Sequence, residues 1–316
     1  MSETWIWDRY WHFDRIASCF DGAGATNYDE SVAAGWRAFF ADLPAGADIL
    51  DLCTGNGAAA LIAAQAGRAA RIVAVDQADI DPPRYVTRHA GAYAAIDFRG
   101  QTEVEALPFP DAGFDAAISQ YGIEYSDLAR SLPEAVRVLA PGGRIRFVVH
   151  AADGAVAADA RAVIADADLL LGEIDLAGCA SRCFTAVLAV ERSPADSDRA
   201  AADEAFAAFQ SALERAARHV PLAHDKVMVR NSGAVLLDTF TRRGHFDLEQ
   251  LLAKAEQVDT EIRAHRGRLI ALVEAALDRD GGEAMASSLR ALGGQASCAP
   301  LSNAGGLIAY VVEARF

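Results

Sequence analysis

Basic side chains are scarce in this sequence, with 29 Lys and Arg against 44 Asp and Glu in 316 residues, a formal charge of −15. A surface of that sign repels phosphate backbones and anionic lipid, so no nucleic acid is expected as a partner. Cysteine is scarce too. Five residues, odd in number and scattered, cannot build a disulfide framework in a chain of this length, and a reducing, cytoplasmic setting is expected. The opening residues, Met1 to Asp8, lack the basic start and apolar core of a secretory leader. The longest uncharged stretch, Ala291 to Val312, is broken by Gly293, Gly294, Pro300, Gly305 and Gly306, so no membrane span is expected. Tryptophan is absent after Trp36, and no internal repeat is present.

What is there is a globular composition, 52% apolar and 23% charged, enough for one large core or a core with a sizeable addition. Residues 1–45 read as an aromatic arm of helix, loop and helix, carrying Trp5, Trp7, Trp11 and Trp36 with the loop near Asp21 to Ala25. Such rings suit either an anchor to the main body or a lid over an apolar ligand. From 46 to 150 short apolar runs alternate with helical stretches: strands near 48–53, 71–76, 96–100, 114–119 and 144–149, with helices at about 58–65 and 127–139. That rhythm predicts a parallel sheet covered on both faces, a doubly wound α/β core. Residues 151–281 turn helical, with helices expected at about 155–171, 198–219 and from Asp247, where Gln250 completes a capping pattern. The chain from 282 to 316 returns to the core and ends in two strand-like runs joined by a glycine turn, a hairpin.

The informative segment is Ile49-Leu-Asp-Leu-Cys-Thr-Gly-Asn-Gly57. Glycines at 55 and 57 permit a sharp turn and a close ligand. The same residues match the loose dinucleotide pattern G-x-G-x-x-A, so a nicotinamide dinucleotide is one reading. Asp51, just ahead of the turn, argues the other way: a diphosphate favours a neutral helix N-terminus, whereas a carboxylate suits a cationic ligand. Asp76, ending the second strand, can accept both hydroxyls of a ribose under either reading.

On these residues the chain resembles the class I S-adenosylmethionine-dependent methyltransferases, in particular the group of ubiquinone and menaquinone C-methyltransferases and small-molecule methyltransferases. Four segments carry the resemblance in order: Asp51 to Gly57; Val73-Ala-Val-Asp76; Glu103-Val-Glu-Ala-Leu-Pro-Phe-Pro-Asp-Ala-Gly-Phe-Asp115; and Leu139-Ala-Pro-Gly-Gly143. It covers about residues 45–150 and 282–316. It implies a Rossmann-like, mostly parallel seven-stranded sheet with a C-terminal antiparallel hairpin, and S-adenosylmethionine as cofactor. It also implies that Asp51, Cys53, Thr54, Gly55, Asn56 and Gly57 hold the methionine part and Asp76 the ribose. Gln77 would lie beside ribose or adenine, Glu103 and the Val104 amide would meet the adenine, and Ser119, Gln120 and Tyr121 would line the methyl-transfer side. The sequence departs from the pattern twice. Cys53 stands where the usual loop has its first glycine, and Gln77-Ala-Asp-Ile-Asp-Pro-Pro83 replaces the start of a helix.

Methyl transfer from a sulfonium is an in-line displacement, so a proton acceptor is needed only for a protonated acceptor molecule. His150, just past the fifth strand, Glu124 and Tyr121 are the catalytic candidates, with Tyr125 and His12 behind them; His89, His219, His224, His245 and His265 are expected to be exposed. No metal site is expected, and Cys179 and Cys183 read as ordinary thiols. The fourth strand runs into Ser-Gln-Tyr-Gly122 rather than the Asn/Asp-Pro-Pro-aromatic sequence of nucleic-acid amino-methyltransferases. A small, apolar or aromatic methyl acceptor is therefore expected, with residues 151–281 as its cover. The alternatives are a protein acceptor or a non-catalytic relative that serves as a scaffold. Either the helical insert or the N-terminal arm would be the surface of a homodimer.

Overall fold

The protein is described by a computed structural model over residues 4–16, 27–28, 30–192 and 196–316. The loop expected near Asp21 to Ala25, with Cys19 and Phe20, lies outside the described residues, as does the middle of the break expected at 193–197. The chain divides into two compact units, residues 1–158 with 271–316, and residues 159–270.

The first unit is built on a seven-stranded sheet ordered β3-β2-β1-β4-β5-β7-β6. Its strands are β1 (Asp48–Leu52), β2 (Arg71–Val75), β3 (Ile96–Arg99), β4 (Phe114–Gln120), β5 (Leu139–His150), β6 (Gln295–Asn303) and β7 (Gly306–Arg315). The first five run parallel, and β7 is antiparallel to both β5 and β6. Central strands buried on both faces need apolar residues at every position. Ile49, Leu50 and Leu52 of β1 and Ile72, Val73 and Val75 of β2 are accordingly all buried.

Alternate residues serve opposite faces. One face, with Ile49, Ile118 and Val148, packs on α2 (Glu30–Ala41) and α3 (Ala58–Ala66). The other, with Leu50, Ala117 and Val149, packs on α6 (Leu128–Arg137) and α12 (Arg279–Ala291). The aromatic arm supplies α1 (Thr4–Trp11), and two single-turn helices, α4 (Pro82–Tyr85) and α5 (Ala90–Tyr93), lie between β2 and β3.

The expected fifth strand begins five residues earlier than its apolar run. Helix α6 stops at Arg137, and Leu139 already pairs with Phe114, with a register shift before Arg144 meets Ala116. The Pro141-Gly142-Gly143 run is thus an irregularity within β5 rather than a helix stop.

The second unit is helical, with most of α7 (Ala155–Asp168), then α8 (Leu176–Arg192), α9 (Asp196–His219), α10 (Lys226–Thr241) and most of α11 (Leu248–Ala275). Its own core gathers Leu170, Leu176, Cys183, Phe184, Phe209, Leu236 and Val258. The capping pattern at Asp247 forms: its backbone N–H donates to Gln250 Oε1 at 3.0 Å, and the Gln250 N–H donates to Asp247 Oδ1 at 2.8 Å. Two of the histidines expected to be exposed are half-buried in this unit. His219 Nε2 lies 2.6 Å from Asp166 Oδ1, and His265 Nε2 lies 3.2 Å from Asp225 Oδ2, because acidic partners on neighbouring helices draw both rings inward.

The β1–α3 turn determines where the site forms. Gly57 has φ +78, and a Cβ there would come within 2.7 Å of the Phe98 ring. Gly67, at the far end of α3, has φ +65 with open space around it. Gly57→Ala is expected to destabilise the protein by about 1–3 kcal/mol from left-handed strain and the displaced ring. Gly67→Ala, which carries the strain alone, should cost less; urea unfolding midpoints of the two variants compare them.

Candidate functional site

At the carboxyl end of β1 the chain turns through three left-handed residues before α3, Cys53 at φ 54, Gly55 at φ 53 and Gly57 at φ 78. A side chain in this region costs about 1 kcal/mol or more, which is the physical reason a glycine is usual where Cys53 stands. Gly122 makes room for it, since a Cβ at 122 would sit 2.4 Å from Cys53 Cβ.

Asp51 faces the turn. Its Oδ2 accepts from the Thr54 hydroxyl at 2.6 Å and from the Ala60 N–H at 3.2 Å, while Oδ1 is buried with no partner. The N-terminus of α3 is therefore already occupied by a carboxylate. Asp76 takes a second loop amide: its Oδ2 accepts from Gly55 N–H at 2.7 Å and its Oδ1 from Ala78 N–H at 2.9 Å. The Gly57 N–H is spent on the Thr54 carbonyl at 2.8 Å. Three amides of the turn and of the first turn of α3, those of Gly55, Gly57 and Ala60, are thus committed to the protein's own oxygens.

Two more strands bring polar groups to the same face. Asp51 pairs with Ile118 in the β1–β4 register, and Gln120 lies two residues beyond Ile118, so alternation puts Asp51 and Gln120 side by side. In β5, His150 shares the face of Val148, which pairs with Gln120. Trp36 of α2 donates its indole N–H to Gln120 Oε1 at 2.6 Å, leaving Gln120 Nε2 buried and without a partner. Glu124 Oε1 lies 2.7 Å from His150 Nδ1 and also accepts the His150 N–H at 2.8 Å. Tyr121, at φ 56, stacks on the His150 ring with centroids 4.2 Å apart. Three residues expected only as separate candidates, His150, Glu124 and Tyr121, thus form one buried cluster.

A narrow pocket is lined by Asp51, Cys53, Thr54, Gln120 and Tyr121 together with Trp11, Ile16 and Tyr28 of the arm. His150 lies one ring behind this wall, under Tyr121. Ser119 points to the other side, donating to the Leu52 carbonyl at 2.9 Å and accepting from the Ile123 N–H at 3.0 Å, so it braces the turn after β4 instead of lining the pocket. Gln77 and Glu103 are exposed, and Val104 is buried among apolar neighbours of the opposite face.

The arm closes on this turn. Asn56 Nδ2 donates to the carbonyls of Trp11, Phe13 and Arg15 at 3.1, 3.3 and 2.8 Å. The Trp11 ring lies over Gly55 and packs with Ala78 and Ile80. His12 is committed elsewhere: its Nε2 lies 2.8 Å from the Asp79 carbonyl and its ring stacks on Tyr85. Asn56 was expected as a ligand residue, and here its amide is the clasp of the arm. Trp36, Trp11 and Tyr28 were missed as individual site residues, and the crowding of aromatics before residue 37 was the signal that marked them.

The electrostatics are one-sided. Burial pushes the Asp51 carboxyl up to about 7, only partly offset by its bonds from Thr54 and Ala60, and burial likewise pushes Asp76 up to about 6. The Cys53 thiol is driven well above its ordinary value, by burial first and then by the charges of Asp76, Glu124, Glu105 and Asp51. Among the described residues no Lys or Arg lines the pocket. Such a site favours a ligand that carries positive charge.

Residues 49–143 match the methyltransferase domain family. The chain is 38% identical over 100 residues to a demethylmenaquinone methyltransferase of Thermus thermophilus, covering 31% of this chain and 44% of that protein. It is 32% identical over 140 residues to a 2-phytyl-1,4-naphtoquinone methyltransferase of Thermosynechococcus vestitus, covering 42% of this chain and 60% of that protein. A malonyl-[acyl-carrier protein] O-methyltransferase of Erwinia billingiae is 44% identical over 52 residues, 16% of this chain and 21% of that protein. The chain thus spans about half the length of the two quinone-type relatives.

The raised carboxyls make stability depend on pH with a definite sign. Between their ordinary value of 3.8 and about 7 for Asp51 or 6 for Asp76, the folded protein holds protons that the unfolded chain releases. Stability is therefore lost as pH rises through that window. Asp51→Asn, which cannot ionise, is expected to flatten the dependence; urea midpoints measured from pH 5 to pH 7.5 check it, and an unaltered slope would count against a buried proton on Asp51.

Proposed function

We propose that this chain, whose residues 49–143 match the methyltransferase domain family, is a class I methyltransferase that transfers a methyl group from S-adenosylmethionine to a small apolar or aromatic acceptor by in-line displacement. The observation that carries the reading is the occupation of the glycine turn by Asp51 and Asp76, which take the Ala60, Gly55 and Ala78 amides and leave Asp51 Oδ1 buried and unpaired. A diphosphate would meet two carboxylates there. A ligand with an ammonium and a sulfonium meets its counter-charges, and an orphaned acceptor of this kind is costly unless a ligand donor satisfies it.

The residues present fit that cofactor. Asp51 would hold its ammonium, Asp76 its ribose hydroxyls, and the small residues of the turn let it approach the backbone closely. The cofactor supplies a methyl group already activated on a cationic sulfur. The protein's part is to hold the acceptor in line and to exclude water. The rings of Trp11, Tyr28 and Tyr121 on the pocket wall do both. Where the acceptor carries a proton, the cluster of Tyr121, His150 and Glu124 would take it, with Tyr121 on the pocket wall, His150 behind it and Glu124 holding His150 Nδ1.

The choice of acceptor lies outside the matched core, because proteins named for a quinone and for an acyl-carrier acceptor are both similar to this chain. The separate helical unit of residues 159–270 is the part of the chain free to serve that choice. A carrier-protein acceptor is the second reading, on the same observation.

Calorimetry with S-adenosylmethionine, S-adenosylhomocysteine and a nicotinamide dinucleotide tests the cofactor. The methionine-derived ligands are expected to bind and the dinucleotide not, with Asp76→Asn weakening S-adenosylmethionine at least tenfold; tight dinucleotide binding overturns the reading. Transfer of a labelled methyl group to a metabolite extract tests the activity, and binding without transfer would leave a non-catalytic relative. Once an acceptor is in hand, His150→Asn should lower kcat by about 10²-fold or more with cofactor affinity retained. An unchanged kcat removes His150 from the chemistry.

A further inference from the structure

Asp76 is expected to meet the ribose, so the nucleoside end of the cofactor falls at the carboxyl end of β2. The arm already lies there. Trp11 is buried, and its ring sits so close to Gly55 that a Cβ at 55 would come within 2.4 Å of it. The same ring packs on Ala78 and Ile80, with Phe98 against them. A flat apolar slot beside Asp76 is therefore filled by an indole.

The floor of the slot is fixed by backbone bonds. The Gln101 N–H donates to the Ala78 carbonyl at 3.1 Å and the Thr102 N–H to the Asp76 carbonyl at 2.9 Å. Gly100 permits that approach, since a Cβ there would fall 2.9 Å from the Ala78 oxygen and the Ile80 nitrogen. The arm is pinned to this floor on both sides of Trp11. Asp8 Oδ1 accepts from the Asp79 N–H at 2.8 Å, and His12 Nε2 lies 2.8 Å from the Asp79 carbonyl. Both pins are exposed, so water replaces their partners when the arm lifts. The charge of Asp8 reaches Asp76, whose carboxyl it helps burial to raise.

What stays open is the other half of the cleft. The narrow pocket is lined by Asp51, Gln120 and Tyr121, whereas neither Asp76 nor Ala78 nor Ile80 lines it. Both Asp76 oxygens are taken by the Gly55 and Ala78 amides. In a close-packed slot a ligand ring and the indole exclude each other.

We propose that the arm is an intramolecular competitor for the cofactor: Trp11 occupies the place of the nucleoside, and S-adenosylmethionine enters only when this ring withdraws to the acceptor side of the pocket and the pins on Asp79 open. The inference rests on S-adenosylmethionine being the cofactor. The apparent affinity is then the intrinsic affinity reduced by the fraction of molecules whose slot is clear. An arm that is only a lid over bound ligand acts in the opposite sense, because loosening it speeds release.

The test is binding of S-adenosylhomocysteine to the full chain, by calorimetry and stopped-flow mixing. Trp11→Ala, which empties the slot, is expected to tighten binding about tenfold or more, as for a slot clear in one molecule of ten or fewer. Asp8→Ala, which opens one exposed pin and leaves the slot untouched, should tighten it about threefold. In both variants the gain should come from faster association, with dissociation unchanged. Thermal unfolding shows whether Trp11→Ala stays folded, and Asp8→Ala carries the question alone where it does not. Unchanged or weaker binding in the folded variants, or an effect confined to faster dissociation, overturns the inference while the cofactor assignment stands. Absence of binding in wild-type protein and in both variants overturns the cofactor assignment instead.

Discussion

A carboxylate buried at the start of a helix is the constraint from which the site follows. Asp51 sits where α3 exposes its first amides, and it binds one of them itself. That contact stabilises the turn, since negative charge is favourable at a helix N-terminus. It also places a carboxylate at the position from which α/β folds hold phosphate. On the proposed reading, the backbone geometry that would hold a diphosphate in another protein serves here as a site for positive charge.

The surroundings sharpen that conversion. Asp76 claims the Gly55 amide, and Glu124 and Glu105 add their charges around Cys53. Burial raises the carboxyls of Asp51 and Asp76, because the charged form is disfavoured away from water. Strain gathers at the same place: Cys53 and Tyr121 are both left-handed without being glycine, one on each side of the pocket. The arm then closes over it, through Asn56 below and Trp11 above.

Much of this was legible in the chain. The order of strands from 48 to 150, the glycine turn, Asp51 and Asp76 follow from local chemistry, because a strand buried on both faces must be apolar throughout and a polar residue at its end stands out. The helices were less legible. α8 and α10 were not foreseen because the small residues of α8 and the Asn231-Ser232-Gly233 run of α10 blunt the helical pattern, whereas α11 announced itself through Asp247 and Gln250, which cap each other across three residues. The start of β5 was misplaced because Pro141 and two glycines argue locally against a strand, yet Leu139 pairs with Phe114.

The sequence by itself determined the class of the core and placed an acid ahead of its glycine turn, since both are written in neighbouring residues: apolar runs, two glycines, and Asp51 before them. Only the tertiary structure decided which polar atoms are left over for a ligand. Trp36 and Gln120 are 84 positions apart, Glu124 and His150 are 26 apart, and Ser119, one residue from Gln120, faces the opposite side. Whether a side chain is spent on a protein partner or kept for a ligand depends on what packing brings against it, and that is settled between elements, not within them.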